Sequence, residues 1–338
     1  MEVLKRQQIQ ISIIVPVFNR PSEIEELLDS LTKQTNKNFE IIIVEDGSSI
    51  KCNKQIEKFN TLLKIRYLFK SNSGPGLSRN YGCENASGNY FIFLDSDCVV
   101  PPHYFQTIYD RLSNDYVDAF GGPDMATKSF SILQKSINYA MTSFLTTGGI
   151  RGGSEKLDKF FPRSFNMGYS KTVFNATKGF SNMRFGEDID MSIRIMNAGF
   201  KTALVKQAYV FHKRRTNFRQ FYKQVFNSGI ARINLYKRHP SSLKLVHTFP
   251  SLFLLGIVLL ITLSCLFSLY FFLPLILFTL LVFVDATFQN RDIRIGLFSI
   301  LASYIQLLAY GAGFLGAFWN RVIFSSNEYS RFNETFYE

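Results

Sequence analysis

The sequence predicts an α/β domain, with a mainly parallel central sheet and helices on both faces, followed by transmembrane helices. Three observations carry this expectation. Apolar runs that read as buried strands alternate with helical patterns from Ile11 to Pro123. Two of those runs end in acidic and small residues, Glu45-Asp46-Gly47-Ser48-Ser49 and Asp95-Ser96-Asp97, at the edge where open α/β sheets take ligands. Finally, Thr248 to Val284 carries no charged side chain, about 37 residues, which exceeds one helical span of a ~30 Å hydrocarbon core.

Ile11-Ser12-Ile13-Ile14-Val15-Pro16-Val17 reads as the first strand, with Phe18-Asn19-Arg20-Pro21 as its turn. Ser22 and Glu25 have capping-box spacing, and Ile24, Leu27, Leu28 and Leu31 recur at helical intervals, so a helix should follow. Glu40 to Val44 is the second strand, and its acidic end can approach a ligand or simply turn the chain. Lys64 to Phe69 is the third. Ser73-Gly74-Pro75-Gly76 then enters a helix to about Ala86, with Arg79 near its N-terminus, where anions are favoured. That guanidinium could reach a base or a phosphate, or could face solvent.

Phe91-Ile92-Phe93-Leu94 is the fourth strand. Asp95 and Asp97 at its extended end point the same way, a spacing that suits a hard divalent cation, Mg2+ or Mn2+. Such cations complete their shell with substrate phosphates, although Asp and Ser also begin ordinary turns. A helix near Pro102 to Leu112 and a strand at Ala119 to Pro123 follow. Lys128 to Asn166 interleaves aromatic, Gly and Ser residues, including Thr147-Gly148-Gly149 and Gly152-Gly153-Ser154, and reads as a substrate-facing loop. The helix from Asp188 to Ala198 opens on Gly186-Glu187-Asp188-Ile189-Asp190. Carboxylates there cap the helix, and the dipole also keeps them ionised, as a general base requires.

The net charge of +12 is local. From Met191 to Val284 there is no Asp or Glu, while Lys and Arg recur from Arg194 to Lys244, directly before the apolar runs. That position favours a membrane surface over nucleic acid, for which no recognition motif is present. Phe218 to Tyr236 looks like an amphipathic helix, either lying on the inner leaflet or packed on the catalytic domain. Spans are expected near 249–269, 272–288 and 295–319, with Tyr270-Phe271-Phe272 and Pro274 at the first turn. The positive-inside rule then puts residues 1–247 in the cytoplasm, with 216–247 as a basic interfacial segment and 320–338 as an outer tail. No signal peptide is expected at the N-terminus, and the four cysteines have neither metal-like nor disulfide-like spacing.

Taken in order, these motifs resemble the inverting family 2 glycosyltransferases, over roughly Ile11 to Asn234. The resemblance implies a GT-A fold for residues 1–215, a nucleotide-sugar donor and a Mn2+ or Mg2+ cofactor. Ser12 to Asn19 looks like the first nucleotide-binding strand, which implies donor contacts at Pro16, Val17 and Asn19. Asp46 and Gly47 would meet base or ribose, and Arg79 the nucleotide. Leu94-Asp95-Ser96-Asp97 is similar to the family's metal motif, with Asp97 and Asp95 as metal ligands and Asp95 and Ser96 also at the donor. Gly186-Glu187-Asp188 is similar to its catalytic-base motif, implying Asp188 as base and Glu187 as the residue that orients the acceptor. For His212 two readings stay open, a contact to metal or diphosphate beside Lys213-Arg214-Arg215, or an ordinary histidine among membrane-flanking bases.

The implied reaction is inverting transfer of a sugar onto a lipid-linked or membrane-proximal glycan at the cytoplasmic face, as in polysaccharide or glycolipid assembly. Alternatives are glycosylation of a polyprenyl phosphate, or a non-catalytic nucleotide-sugar-binding subunit. The Gln-x-x-Arg-Trp motif of processive synthases is absent, and the lone tryptophan is Trp319. Three spans would make a meagre conduit unless the chain oligomerises.

Overall fold

Strands β1 (Ile11–Val17) and β2 (Phe39–Asp46) are almost wholly buried, because both faces of a parallel sheet are covered and neither needs polar alternation. A computed structural model describes residues 9–125, 130–148 and 161–328. They form two compact units, residues 9–125 with 161–213, and residues 130–148 with 214–328.

In the first unit, α1 (Pro21–Thr32) joins β1 to β2. Then come α2 (Asn53–Glu57), β3 (Ile65–Lys70), α3 (Pro75–Glu84) and β4 (Tyr90–Leu94). After these follow β5 (Cys98–Val99), α4 (Tyr104–Asn114), β6 (Ala119–Gly121) and β7 (Asp124–Met125). The chain contributes α5 (Ile132–Thr142) and α6 (Phe144–Thr147) to the second unit. It returns to the first as β8 (Asn166–Ser170), α7 (Lys171–Thr177), α8 (Glu187–Asn197), β9 (Thr202–Leu204) and β10 (Val210–His212).

The main sheet has the order β3-β2-β1-β4-β8-β6-β9. All its pairings are parallel except those of β8, which runs antiparallel to both β4 and β6. This is the mainly parallel α/β sheet expected from the alternation. One core, including Ile13, Val15, Ile24, Leu27 and Phe105, covers one face. The other, including Ile14, Val44, Phe93, Tyr169 and Met191, covers the opposite face. A small second sheet, β5-β10-β7, lies beyond the end of β4 in sequence and gathers residues near the Asp-Ser-Asp motif.

Local differences from expectation have physical causes. Helix α1 starts at Pro21, with Arg20 at the N-cap and no side-chain cap, so Ser22 and Glu25 form no capping box. Proline at the first helical position supplies the start instead. Strand β8 has no apolar signature, because Gly168 must lie under Phe120, where a Cβ would come within 2.3 Å of the ring. The segment 128–166, read as a loop, contains α5, opened by a capping box between Ser131 and Gln134. Residues 149–160 of that segment, with its Gly152-Gly153-Ser154, lie outside the described residues, as does the tail from residue 329.

In the second unit, α9 (Phe218–Arg238) is followed by α10 (Phe249–Leu266), α11 (Leu273–Asn290) and α12 (Ile293–Phe318). Three helical segments, Leu245–Leu266, Leu269–Asn290 and Ile293–Ile323, are long and apolar enough to cross a membrane. A 3-10 turn at Leu269–Phe272 with Pro274 in the first turn of α11 divides the first two. The apolar face of α9, with Phe221, Val225, Phe226, Ile230 and Ile233, is buried in one cluster with Ala302, Ala309 and Phe314 of α12 and Ile137 of α5. A helix expected to lie on lipid or on the catalytic domain therefore spends that face on its neighbours in the second unit.

Candidate active site

The carboxylates at the end of β4 are held by cations from distant parts of the first unit. Antiparallel pairing sets His212 of β10 opposite Cys98 of β5, and this register brings the imidazole to Asp97. His212 Nε2 lies 3.1 Å from Asp97 Oδ1, and Arg20 Nη1 lies 2.5 Å from Oδ2. Burial alone would raise the Asp97 carboxyl, but His212 and Arg20 outweigh it and hold the group well below the usual carboxylate range. The His212 ring is itself stacked on Phe165 at 4.9 Å.

Arg79 joins the strand end to the start of α8. Its Nη2 lies 2.6 Å from Asp95 Oδ1 and its Nη1 3.2 Å from Glu187 Oε1, with the Phe180 ring 5.4 Å from the guanidinium carbon. One buried side chain thus ties the Asp95-Ser96-Asp97 motif to the Gly186-Glu187-Asp188 motif, and the two sequence motifs share a site. Burial, and then the Asp188 charge, push the Glu187 carboxyl up to about 7 against the pull of Arg79. Asp188, mostly buried, is paired through Oδ2 with Arg163 Nε at 3.1 Å. Gly186 precedes α8 with φ +86°, a left-handed turn that favours glycine and aims the helix start at this cluster.

The remaining candidates shape the neighbouring loops. Asp46 is fully buried; its carboxylate accepts from Ser73 N (2.9 Å) and Gly74 N (2.8 Å) and pairs with Lys70 Nζ at 2.6 Å. It fixes the entry to α3, from which Arg79 projects. Gly47, at φ +76°, faces Asn72 N so closely that a Cβ would lie 2.6 Å away. Asn19, also left-handed at φ +52°, donates from its N to Ser48 Oγ and accepts from Ile50 N at 2.9 Å. Pro16 and Val17 are buried strand residues beside Val44 and Glu45. Ser96 is buried between the two aspartates.

Residues 12–178 match the family model described as Glycosyl transferase family 2. This part of the chain is a family 2 glycosyltransferase domain. The domain is 38% identical over 104 residues to the glycosyltransferase GlyA of Streptococcus pneumoniae serotype 4, a match covering 30% of this chain and 15% of that protein. An uncharacterized glycosyltransferase of Rickettsia typhi is 28% identical over 231 residues, covering 67% of this chain and 69% of its own. Against the first relatives the match spans less than a fifth of their length. Among solved structures, the mannosyltransferase PcManGT of Pyrobaculum calidifontis, in complex with GDP-Man and Mn2+, aligns with TM-score 0.64 at 13% identity, over 94% of this chain and 89% of that one. The fold is accordingly GT-A-like.

The family 2 domain offers donors that fit a divalent cation. One ligand atom each from Asp97, Cys98 and His212 lie within 4.8 Å of one another. Asp97 Oδ1 is buried 3.1 Å from His212 Nε2, so the carboxylate and the imidazole could share one cation. Carboxylate and imidazole suit Mn2+. The Cys98 thiol is pushed up by burial and donates to Phe165 O at 3.6 Å, so it is a poor ligand for a hard cation. The sequence motifs missed two side chains of the family 2 domain, Arg20 and Arg163. Arg20 reads as part of a turn, and Arg163 follows a proline in a segment without periodicity, so neither shows its distant partner.

Proposed function

We propose that this protein transfers a sugar, with inversion, from a nucleotide-sugar donor to a lipid-linked or membrane-proximal glycan at the cytoplasmic face of a membrane. The observation that supports it most is Arg79 bound at once to Asp95 and Glu187, since it unites the donor-side and acceptor-side carboxylates. The membrane half of the reading draws on the three apolar helices, and the GDP-Man and Mn2+ held by the Pyrobaculum calidifontis protein are consistent with the donor half.

In this mechanism Asp97 and His212, with Asp95, would hold Mn2+ or Mg2+. Bound there, the cation would neutralise charge on the departing diphosphate. Asp188 accepts the proton of the acceptor hydroxyl as that oxygen attacks the anomeric carbon from the face opposite the leaving group. Glu187, buried and readily protonated near neutral pH, donates a hydrogen bond that orients the acceptor. Arg79 keeps Asp95 and Glu187 in fixed relation, and Asp46 holds the loop that starts α3.

General-base help is worth about a hundred- to ten-thousandfold in rate. Asp188→Asn, in the purified full-length protein with membrane extract and nucleotide sugars, should lose turnover on that scale while retaining donor binding. Near-normal turnover would exclude Asp188 as the base.

A second reading, glycosylation of a polyprenyl phosphate, is favoured by the Arg163 guanidinium on Asp188, because an acceptor already anionic needs a cation more than a base. Under it, Asp188→Asn stays active with isoprenyl phosphate as acceptor and Arg163→Gln does not.

A further inference from the structure

Arg20 is an unusual residue for the helix position it holds. It is the N-cap residue of α1, makes no cap, and places a cation at the positive end of a helix dipole. Its setting is nevertheless rigid. Asn19 before it is fixed in a left-handed turn by Ser48 and Ile50, and Pro21 after it begins the helix. The side chain pairs with Asp97 at 2.5 Å, yet is 31% exposed against 11% for Asp97. The arginine therefore has a solvent side into which it can turn, whereas the carboxylate does not. Arg20 holds Oδ2 and His212 Nε2 lies 3.1 Å from Oδ1, so a divalent ion that shares Oδ1 with the imidazole meets the other oxygen already committed to the guanidinium.

We infer that Arg20 is an exchangeable counter-cation for Asp97, which opposes metal binding on its own and makes the metal and the donor diphosphate bind together. The inference rests on the nucleotide-sugar reading above. A divalent ion joining Asp97 alone must displace the guanidinium or sit against it, and the two positive charges repel. A diphosphate arriving with the ion supplies anionic oxygens that accept the released guanidinium, and arginine matches phosphate geometry well. Arg20 is a positioning residue in this scheme. Its effect is a coupling between two ligands, which by linkage acts equally on each.

The test measures Mn2+ binding to the detergent-solubilised full chain from the electron paramagnetic resonance signal of free Mn2+, alone and with UDP or GDP. The wild type should bind Mn2+ weakly by itself and more tightly with the cognate nucleoside diphosphate. Arg20→Gln should bind Mn2+ alone about five- to tenfold more tightly, on the scale of one partly exposed charge-assisted pair, and should lose most of the diphosphate enhancement. Arg20→Lys, which keeps the charge, should retain the wild-type pattern, and circular dichroism checks that each variant folds. Equal or weaker Mn2+ binding by Arg20→Gln alone, or an unchanged enhancement, overturns the inference while leaving the proposed reaction standing. Absence of Mn2+ binding in all three proteins with either nucleotide overturns the metal-dependent reading and this inference with it.

Discussion

In the α/β unit the site is built on charged pairs, with Arg79 between Asp95 and Glu187 and Asp97 between Arg20 and His212. In the helical unit, the buried polar side chains on α9 and α12 are Asn227, Asn234, Ser299 and Ser303, small and uncharged. The apolar surface differs as well. Leu252, Leu255, Val258 and Leu259 of α10 all point outward, and only 11% of the apolar stretch of that span is buried. A domain in water gains by enclosing such side chains, whereas helices in lipid gain nothing from it and must associate by close packing. Glycines supply that packing. A Cβ on Gly313 would lie 2.1 Å from Phe226 O, and one on Gly229 2.3 Å from Tyr310 O, so backbone meets backbone.

If charge pairing organises the first unit and not the second, removing an arginine should cost very different amounts in each. Arg79→Ala takes the shared cation from Asp95 and the buried Glu187, and should destabilise by about 3–5 kcal/mol. Arg238→Ala in the helical unit breaks a half-exposed pair with Glu328 and should cost less than ~1 kcal/mol. Denaturant titration of both variants measures the contrast, and comparable losses would erase it.

Glu187 sharpens the comparison through pH. Its folded carboxyl is raised to about 7 from 4.5, so the folded protein holds a proton there that the unfolded chain has released. Between those values the native state binds more protons, and stability falls as pH rises. Its contribution is complete below about pH 4.5 and is gone once pH passes about 7. The melting temperature should therefore decline from pH 5 to pH 8, and Glu187→Gln should flatten that decline. An identical slope in the variant would contradict the burial argument.

What the residues revealed in advance follows the same division. Strands β1, β2 and β4 were legible because a doubly covered parallel strand is apolar throughout, and the apolar helices because lipid tolerates so little charge. The acidic motifs were legible because their carboxylates lie within a few residues of one another. Strand β8 was not, since its Asn166 is used to bind Tyr104 OH and Ala208 O and its Gly168 to admit Phe120. Arg20 was not because its partner is 77 residues away, a separation that no local pattern encodes. The partner of helix α9 is not legible in its sequence, because an apolar stripe looks the same whether a bilayer or α12 covers it.

The smallest expected effect separates packing glycines from idle ones within the helical unit. Gly313 of α12 and Gly256 of α10 both sit in apolar helices, and only their surroundings differ. Beside Gly313 the nearest atom is a backbone oxygen, which cannot rotate away as a side chain can, so Gly313→Ala must separate α12 from α9. Overpacking of this kind costs about 1–3 kcal/mol. Around Gly256 nothing lies within 4 Å, and alanine there only restricts the unfolded backbone, for a gain of about 0.5–1 kcal/mol. In detergent the two alanine variants should therefore shift the thermal transition in opposite directions. A stabilised Gly313→Ala would mean that the two helices are not held at the distance their backbones imply, and close approach would lose its place as the force that assembles this unit.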